Sequence, residues 1–326
     1  MCHPCPNDNL CKTCEIIFVV LNFPNSQCEY SDNSAFFTKF VVRFKRFKKK
    51  SKVMKIGVDL GGTNIRVGIV DEEQLVSKVA APCPKDEEKV VLEQIIGLIR
   101  ELMSAGVTSI GVGVPSVVDR ERGIVHNVAN IPSWKEVHLK EILEEEFHRP
   151  AYINNDANCF ALGEHCFGEG RRFSDFVGLT IGTGIGTGLI LNGKLYNGHN
   201  TGAGEICSLP FREKDYEHYC ASRFFEAFQT TGRELGEKAQ AGDSQALKTW
   251  GLFGDNLGCL IETVVYAYDP EAIILGGGIA DAFDYFKDAM YERLKEFPYQ
   301  ESVARLHIGP SQLKDAALLG AAMLEE

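Results

Sequence analysis

One pattern occurs twice in this 326-residue chain: an apolar strand, a glycine turn and a second apolar strand, at 56–70 and again at 177–191. The first copy reads Ile56 to Asp59, Gly61-Gly62, then Ile65 to Val70; the second reads Phe176 to Ile181, the run Gly182 to Gly188, then on to Leu191. Two such openings predict two related α/β lobes facing each other, not one doubly wound sheet. The length agrees, because a core of this size ordinarily splits in two. A cleft between lobes is then the expected ligand site.

The segments around the two copies fit this division. Val76 to Ala80 reads as a third strand, 86–105 as a helix stopping at Gly106, Ile110 to Val114 as a buried strand and Glu136 to Phe147 as a helix. Ala151 to Ile153 is the next strand, and Asp156 opens a helix over Ala157 to Phe167. Beyond the second copy, Asn192-Gly193 spells a two-residue hairpin turn into Lys194 to Tyr196. Helices are expected over Ser222 to Ala241, Asp243 to Ala267, Asp281 to Phe297 and Leu313 to Glu325, with a strand at Ala272 to Leu275.

Charge is unevenly spread. The chain carries −11 formally, but residues 1–53 hold nine Lys/Arg against four Asp/Glu, and the rest hold 25 against 41. A body this acidic argues against a broad nucleic-acid footprint. Phosphate ligands remain open to it, because backbone N–H groups bind anions without side-chain cations. The densest apolar run near the start, Ile16 to Leu21, has six residues, far short of the roughly 20 that span a membrane. Of the 11 cysteines, five fall in residues 1–53 and the other six follow no framework spacing; with no secretory pattern ahead of the body, reduced thiols in a cytoplasm are expected.

The pairs Cys2/Cys5 and Cys11/Cys14 stand only five residues apart, against about 12 or more in usual zinc sites. The basic stretch Lys39 to Lys52 reads as a solvated tail. Met54 directly precedes the first clean strand, so residues 1–53 are expected to be a disordered or non-native extension.

Three glycine clusters follow apolar strands: Gly61-Gly62-Thr63-Asn64, Gly182-Thr183-Gly184 with Gly186, and Gly276-Gly277-Gly278. Such turns let the backbone approach an anion and aim several N–H groups at it. Neither common nucleotide fingerprint fits. Gly188 to Lys194 satisfies G-x-x-x-x-G-K, but Leu195 stands where a hydroxyl must ligate magnesium. Gly61-Gly62 leads into a strand where the dinucleotide motif needs a helix.

Two acids accompany these loops: Asp59 ends the first strand, and Asp156 follows Tyr152-Ile153-Asn154-Asn155. An acid beside a phosphate cradle can hold hydrated magnesium, and a second across the cleft can accept a hydroxyl proton. That is the parts list of a phosphotransferase. Plainer roles compete on local sequence: a helix N-cap for Asp156 and a strand-end turn for Asp59.

In this order the motifs resemble those of the ROK family (repressor, open reading frame, kinase) of sugar kinases, over essentially Met54 to Glu326. Asp59 to Asn64 looks like the first phosphate motif. Gly111-Val112-Gly113-Val114-Pro115-Ser116 and Asn130-Ile131-Pro132-Ser133-Trp134 are similar to the sugar-pocket loops. Asn155-Asp156-Ala157-Asn158 with Ala161-Leu162-Gly163-Glu164 resembles the catalytic segment, and Leu313 to Ala322 the closing helix.

The resemblance implies two RNase H-like lobes of the hexokinase/actin/Hsp70 type, over 54–170 and 171–311, with 312–326 returning to the first. It implies ATP and magnesium as cofactors, a small-molecule sugar as partner and a homodimer, with no nucleic acid or membrane partner. Asp156 would be the general base and would touch the sugar, and Asp59 would hold magnesium through water. Gly61, Gly62, Thr63, Asn64, Gly182, Thr183, Gly184 and Gly186 would surround the phosphates, and Gly276, Gly277 and Gly278 the adenosine. Ser116, Asn130, Asn155 and Glu205 would touch the sugar.

This chain departs from the family at its zinc motifs. Where members carry Glu-x-Gly-His it has Glu205-Ile206-Cys207-Ser208. The following cysteine cluster is reduced to Tyr216-Glu217-His218-Tyr219-Cys220-Ala221-Ser222, with Ser222 at the position expected for a sugar-binding glutamate. Cys207, His218 and Cys220 fall one ligand short of structural zinc, so no zinc is expected. The expected reaction is ATP-dependent phosphorylation of a glucose-type hexose at the 6-hydroxyl. Fructose, N-acetylglucosamine and N-acetylmannosamine are alternative acceptors, and a sugar-responsive regulator is the reading from another class. Such regulators carry an N-terminal helix-turn-helix, whereas residues 1–53 hold Pro4, Pro6 and Pro24 and no pair of helical apolar periods.

Overall fold

The computed structural model describes residues 53–325 apart from 73, 86, 129 and 200; the expectations for the cysteine pairs and the basic stretch before Met54 lie outside the described residues. The body opens with the meander β1 (Met54–Leu60), β2 (Asn64–Val70) and β3 (Leu75–Pro82), followed by α1 (Glu88–Leu102) and β4 (Val107–Val114). A small sheet of β5 (Val118–Asp119), β6 (Ile124–His126) and β7 (Glu136–Val137) precedes α2 (Leu139–Phe147), β8 (Ala151–Asn155) and α3 (Asp156–Phe167).

The second half repeats the opening with β9 (Phe176–Ile181), β10 (Ile185–Leu191) and β11 (Lys194–Leu195). There follow the ribbon β12 (Pro210–Phe211) and β13 (Lys214–Asp215), then α4 (Tyr216–Cys220), α5 (Ser222–Glu226), α6 (Gly232–Gln240) and α7 (Ser244–Tyr268). The chain closes with β14 (Ala272–Gly276), α8 (Phe283–Leu294), α9 (Gln300–Arg305), β15 (His307–Pro310) and α10 (Ala316–Ala322).

The duplication is complete at the level of topology. One five-stranded sheet runs β3-β2-β1-β4-β8 and the other β11-β10-β9-β14-β15. In each, the first strand pairs antiparallel with the second and parallel with the fourth. The central strands are apolar and buried on both faces, as parallel strands covered by helices must be. Edge strand β3 alternates in exposure, with one face in solvent. Each sheet has its own core, with Trp134 inside the first and Trp250, Phe253 and Phe286 inside the second.

Helices α3 and α10 tie the halves together. α10 packs on α3 and lies across β1, β2 and β4, while α3 also packs on β9 and β10. The approach is close: a side-chain carbon placed on Gly320 would sit 1.8 Å from the Cys159 carbonyl oxygen, and one on Gly111 would sit 1.7 Å from that of Ala321. Glycine is required at such contacts, because any Cβ would force the backbones apart. Among the described residues no helix is long and apolar enough to cross a membrane.

Several element boundaries differ from expectation, for local reasons. The helix expected over Ser222 to Ala241 is two helices. Gln229 adopts φ +52° between them, and Thr231 starts α6 with a capping box in which its hydroxyl accepts from Glu234 N while the Glu234 carboxylate accepts from Thr231 N. Glu136 and Val137 pair with β6, so α2 begins only at Leu139. The last helix begins at Ala316, after Asp315 in the left-handed region. Strand β15 and helix α9 were not expected at all; each is too short to show a period. The hairpin at Asn192-Gly193 does form, with both residues at positive φ.

Candidate active site

The site begins with strand register. Asp59 on β1 pairs with Gly113 on β4, and Gly113 pairs with Asn154 on β8, so the three neighbours reach the same sheet end together. Asp156 follows directly as the first residue of α3. Gly113 presents no side chain between the two acids, and a carbon built on it would lie 3.5 Å from Asp156 Cα.

Asn155, not Asp156, caps α3. Its Oδ1 accepts from Ala157 N at 2.9 Å and Asn158 N at 3.3 Å. The plainer role considered for Asp156 is therefore taken by its neighbour, and the Asp156 carboxylate accepts from Ala157 N at 2.9 Å. Asn154 is fully enclosed and orders this corner: its Oδ1 accepts from Asn155 N and Asn158 Nδ2, and its Nδ2 donates to Asn197 Oδ1 at 2.8 Å.

Electrostatics set Asp156 apart. Burial pushes its carboxyl up to about 7, the Asp59 carboxylate pushes the same way, and Glu205 adds to it. Asp59 is itself raised, because burial outweighs its Arg66 ion pair at 2.9 Å. Burial also raises Glu205, helped by the Glu217 carboxylate. Asp59, Asp156 and Glu205 thus share one corner, where desolvation and like charge favour their protonated forms.

The glycine loops meet at this corner. The β9–β10 hairpin lies on the start of α3, with Gly186 against Ala157. Gly276, Gly277 and Gly278 follow β14 beside it, and Ile279 N donates to Ile181 O at 3.1 Å. A side-chain carbon built on Gly182 or Gly278 meets no atom within 4 Å, so the backbone there borders open space. Gly61 N closes its own turn on Asn64 O at 3.0 Å, Thr63 and Asn64 are exposed, and Gly62 packs against Asn130, where an added carbon would lie 2.8 Å from the Asn130 Cβ.

The Ser116 hydroxyl is already engaged as a donor. It is spent on His126 O, and the Ser116 carbonyl accepts from Asn155 Nδ2 at 3.4 Å, so Ser116 supports Asn155 from behind. No carboxylate stands at position 222, where the resemblance places the sugar-binding glutamate. Ser222 instead fastens the Gly182 turn, its N bonding Gly182 O and its hydroxyl bonding Thr183 O, each at 3.0 Å. The carboxylate that reaches this hairpin is that of Glu217 on α4, whose Oε2 accepts from Ile185 N at 3.3 Å. Sequence reading did not single out Glu217. The short helix α4, capped by Asp215 accepting from His218 N at 2.7 Å, aims Glu217 at the hairpin.

The three soft ligands do not converge. Cys207 lies buried against the Thr187 hydroxyl at 3.4 Å, His218 stands edge-on to Tyr219, and Cys220 is fully buried. Among the described residues no group of three or more His, Cys, Asp or Glu has metal-holding geometry.

The sequence profile of the ROK family matches residues 55–326. The chain belongs to the ROK family. A glucokinase of Thermotoga maritima is 30% identical over 308 residues, 84% of this chain and 97% of that protein. An N-acetyl-D-glucosamine kinase of Vibrio cholerae is 30% identical over 273 residues, covering 74% and 89%. The crystal structure of a ROK glucokinase from Streptomyces griseus, with glucose and AMPPNP, superposes with a TM-score of 0.72 at 26% identity, over 83% of this chain and 98% of that one. The twin sheets are thus the two-lobe hexokinase/actin-like fold of ROK sugar kinases, and the chain is a phosphotransferase with an alcohol acceptor.

Proposed function

We propose that this ROK sugar kinase transfers the γ-phosphoryl group of ATP to the 6-hydroxyl of a glucose-type hexose, with Asp156 as general base. The observation that carries the reading is the Asp156 carboxyl, half-buried at the start of α3 and raised to about 7 between Asp59 and Glu205. A base poised near the working pH takes a proton efficiently and still holds the anionic form in useful amount. The sugar oxygen attacks the γ-phosphorus as Asp156 accepts its proton, the bond from phosphorus to the β-phosphate oxygen breaks, and ADP leaves. The proton then passes from Asp156 to solvent.

The open backbone at Gly182 and Gly278 fits a triphosphate chain bound by N–H groups. The Asp59 carboxylate supplies hard oxygen donors of the kind that suit magnesium and would hold it through water. When bound there, the ion neutralises phosphate charge. Glu205, Glu217, Asn130 and Asn155 are the sugar-facing groups in this reading. The lobes, which we assign to 54–170 and 171–311 with 312–326 returning to the first, would close over both substrates.

The test is a coupled ADP-release assay of the full chain with ATP and magnesium against glucose, fructose, mannose, N-acetylglucosamine and N-acetylmannosamine. Turnover of glucose above the others supports the reading. Preference for an N-acetylated sugar would replace the acceptor, and sugar binding without turnover of any of them would overturn the kinase assignment.

A further inference from the structure

Helices α4 and α5 border a separate cavity of about 240 Å³ whose lining includes none of the residues of the proposed active site. Its walls are the rings of Tyr219, Phe224 and Phe228 together with Leu252. Phe228 and Leu252 are 42% and 54% exposed, unusually open for side chains of their size. Its charge is positive: Arg223 lines it with no ion pair among the described residues, and Arg212 stacks over the Tyr219 ring at 5.5 Å while reaching Asp255 at 3.6 Å.

At the cavity wall Asn256 is only 2% exposed. It donates Nδ2 to Tyr219 O at 3.4 Å and leaves Oδ1 without a partner. Buried amide oxygens are nearly always satisfied, so this one calls for a donor. An apolar wall of rings, a guanidinium without an ion pair among the described residues and an unpaired acceptor together describe a small-molecule site.

We propose that this cavity binds a small anion with a planar apolar body and one hydrogen-bond donor, the body lying between Phe228 and Tyr219, the anionic group on Arg223 and the donor toward Asn256. The volume suits a bicyclic molecule and is too small for a folded partner. 8-Anilinonaphthalene-1-sulfonate carries all three features and serves as the probe.

Fluorescence titration of the full chain should give one saturable site that AMPPNP with magnesium does not displace. Arg223→Ala and Leu252→Glu, both at exposed positions, should each weaken it at least tenfold while leaving the melting temperature unchanged. Binding at the parental affinity in either variant, or displacement by AMPPNP, would overturn the proposal. It would also fail if sedimentation showed a dimer that Leu252→Glu dissociates, because a second copy would then close the cavity.

Discussion

In the proposed mechanism Asp156 carries the proton transfer, and it sits half-buried close to the Asp59 and Glu205 carboxylates. Asp156→Asn removes the proton acceptor and keeps the shape, so turnover should fall by roughly 10²- to 10⁴-fold while calorimetry still detects sugar binding; unchanged turnover would rule out its role as base. In the native enzyme kcat/KM should fall tenfold per pH unit below about 7, the value to which burial lifts this carboxyl, and a profile flat to pH 5 would contradict that. The same shift bears on stability. Between about pH 4 and 7 the unfolded chain has lost this proton and the native state keeps it, so native stability declines as pH rises through that window and levels off above it. Asp156→Asn escapes the decline. It should therefore be more stable than the parent at pH 8, by up to about 4 kcal/mol at one pKa unit per 1.36 kcal/mol, with little difference at pH 4.

At the scale of elements, the contact of α3 with α10 is made by small residues. Gly320→Ala would drive a methyl toward the Cys159 carbonyl oxygen, 1.8 Å from the position its Cβ would take. Overpacking of this kind costs about 1–3 kcal/mol, a fall of about 2–4 °C per kcal/mol for a chain of this size. Gly236 on α6 offers the contrast, since a carbon there meets nothing within 4 Å. Gly236→Ala should gain about 0.5–1 kcal/mol from helix propensity. Thermal melts of the two variants should move in opposite directions, and a common direction would refute the packing account.

For the whole molecule, α3 and α10 set the cooperativity. Each sheet has its own core, which alone would allow the halves to melt separately. Because α10 covers the first sheet and packs on α3, which in turn packs on the second, neither half can lose its strands without uncovering the other. Calorimetry should therefore record one transition with equal calorimetric and van't Hoff enthalpies. Two resolved transitions would mean that the shared helices do not couple the lobes.

The repeated strand, turn and strand pattern was enough to predict twin α/β lobes, because period and turn chemistry are local properties of the chain. The ordered glycine motifs also pointed to Asp59 and Asp156, which strand register brings to the same sheet end. The sequence could not assign the cap of α3 to Asn155, because Asn155 and Asp156 are equally good capping residues and only the backbone path chooses between them. Nor could it find Glu217, whose place depends on how one short helix is aimed at a hairpin about 30 residues earlier in the chain. The unusual state of Asp156 was beyond it as well. A carboxyl near 7 needs burial and two further acids converging from β1 and from the segment after β11, and burial and charge proximity are properties of the folded chain.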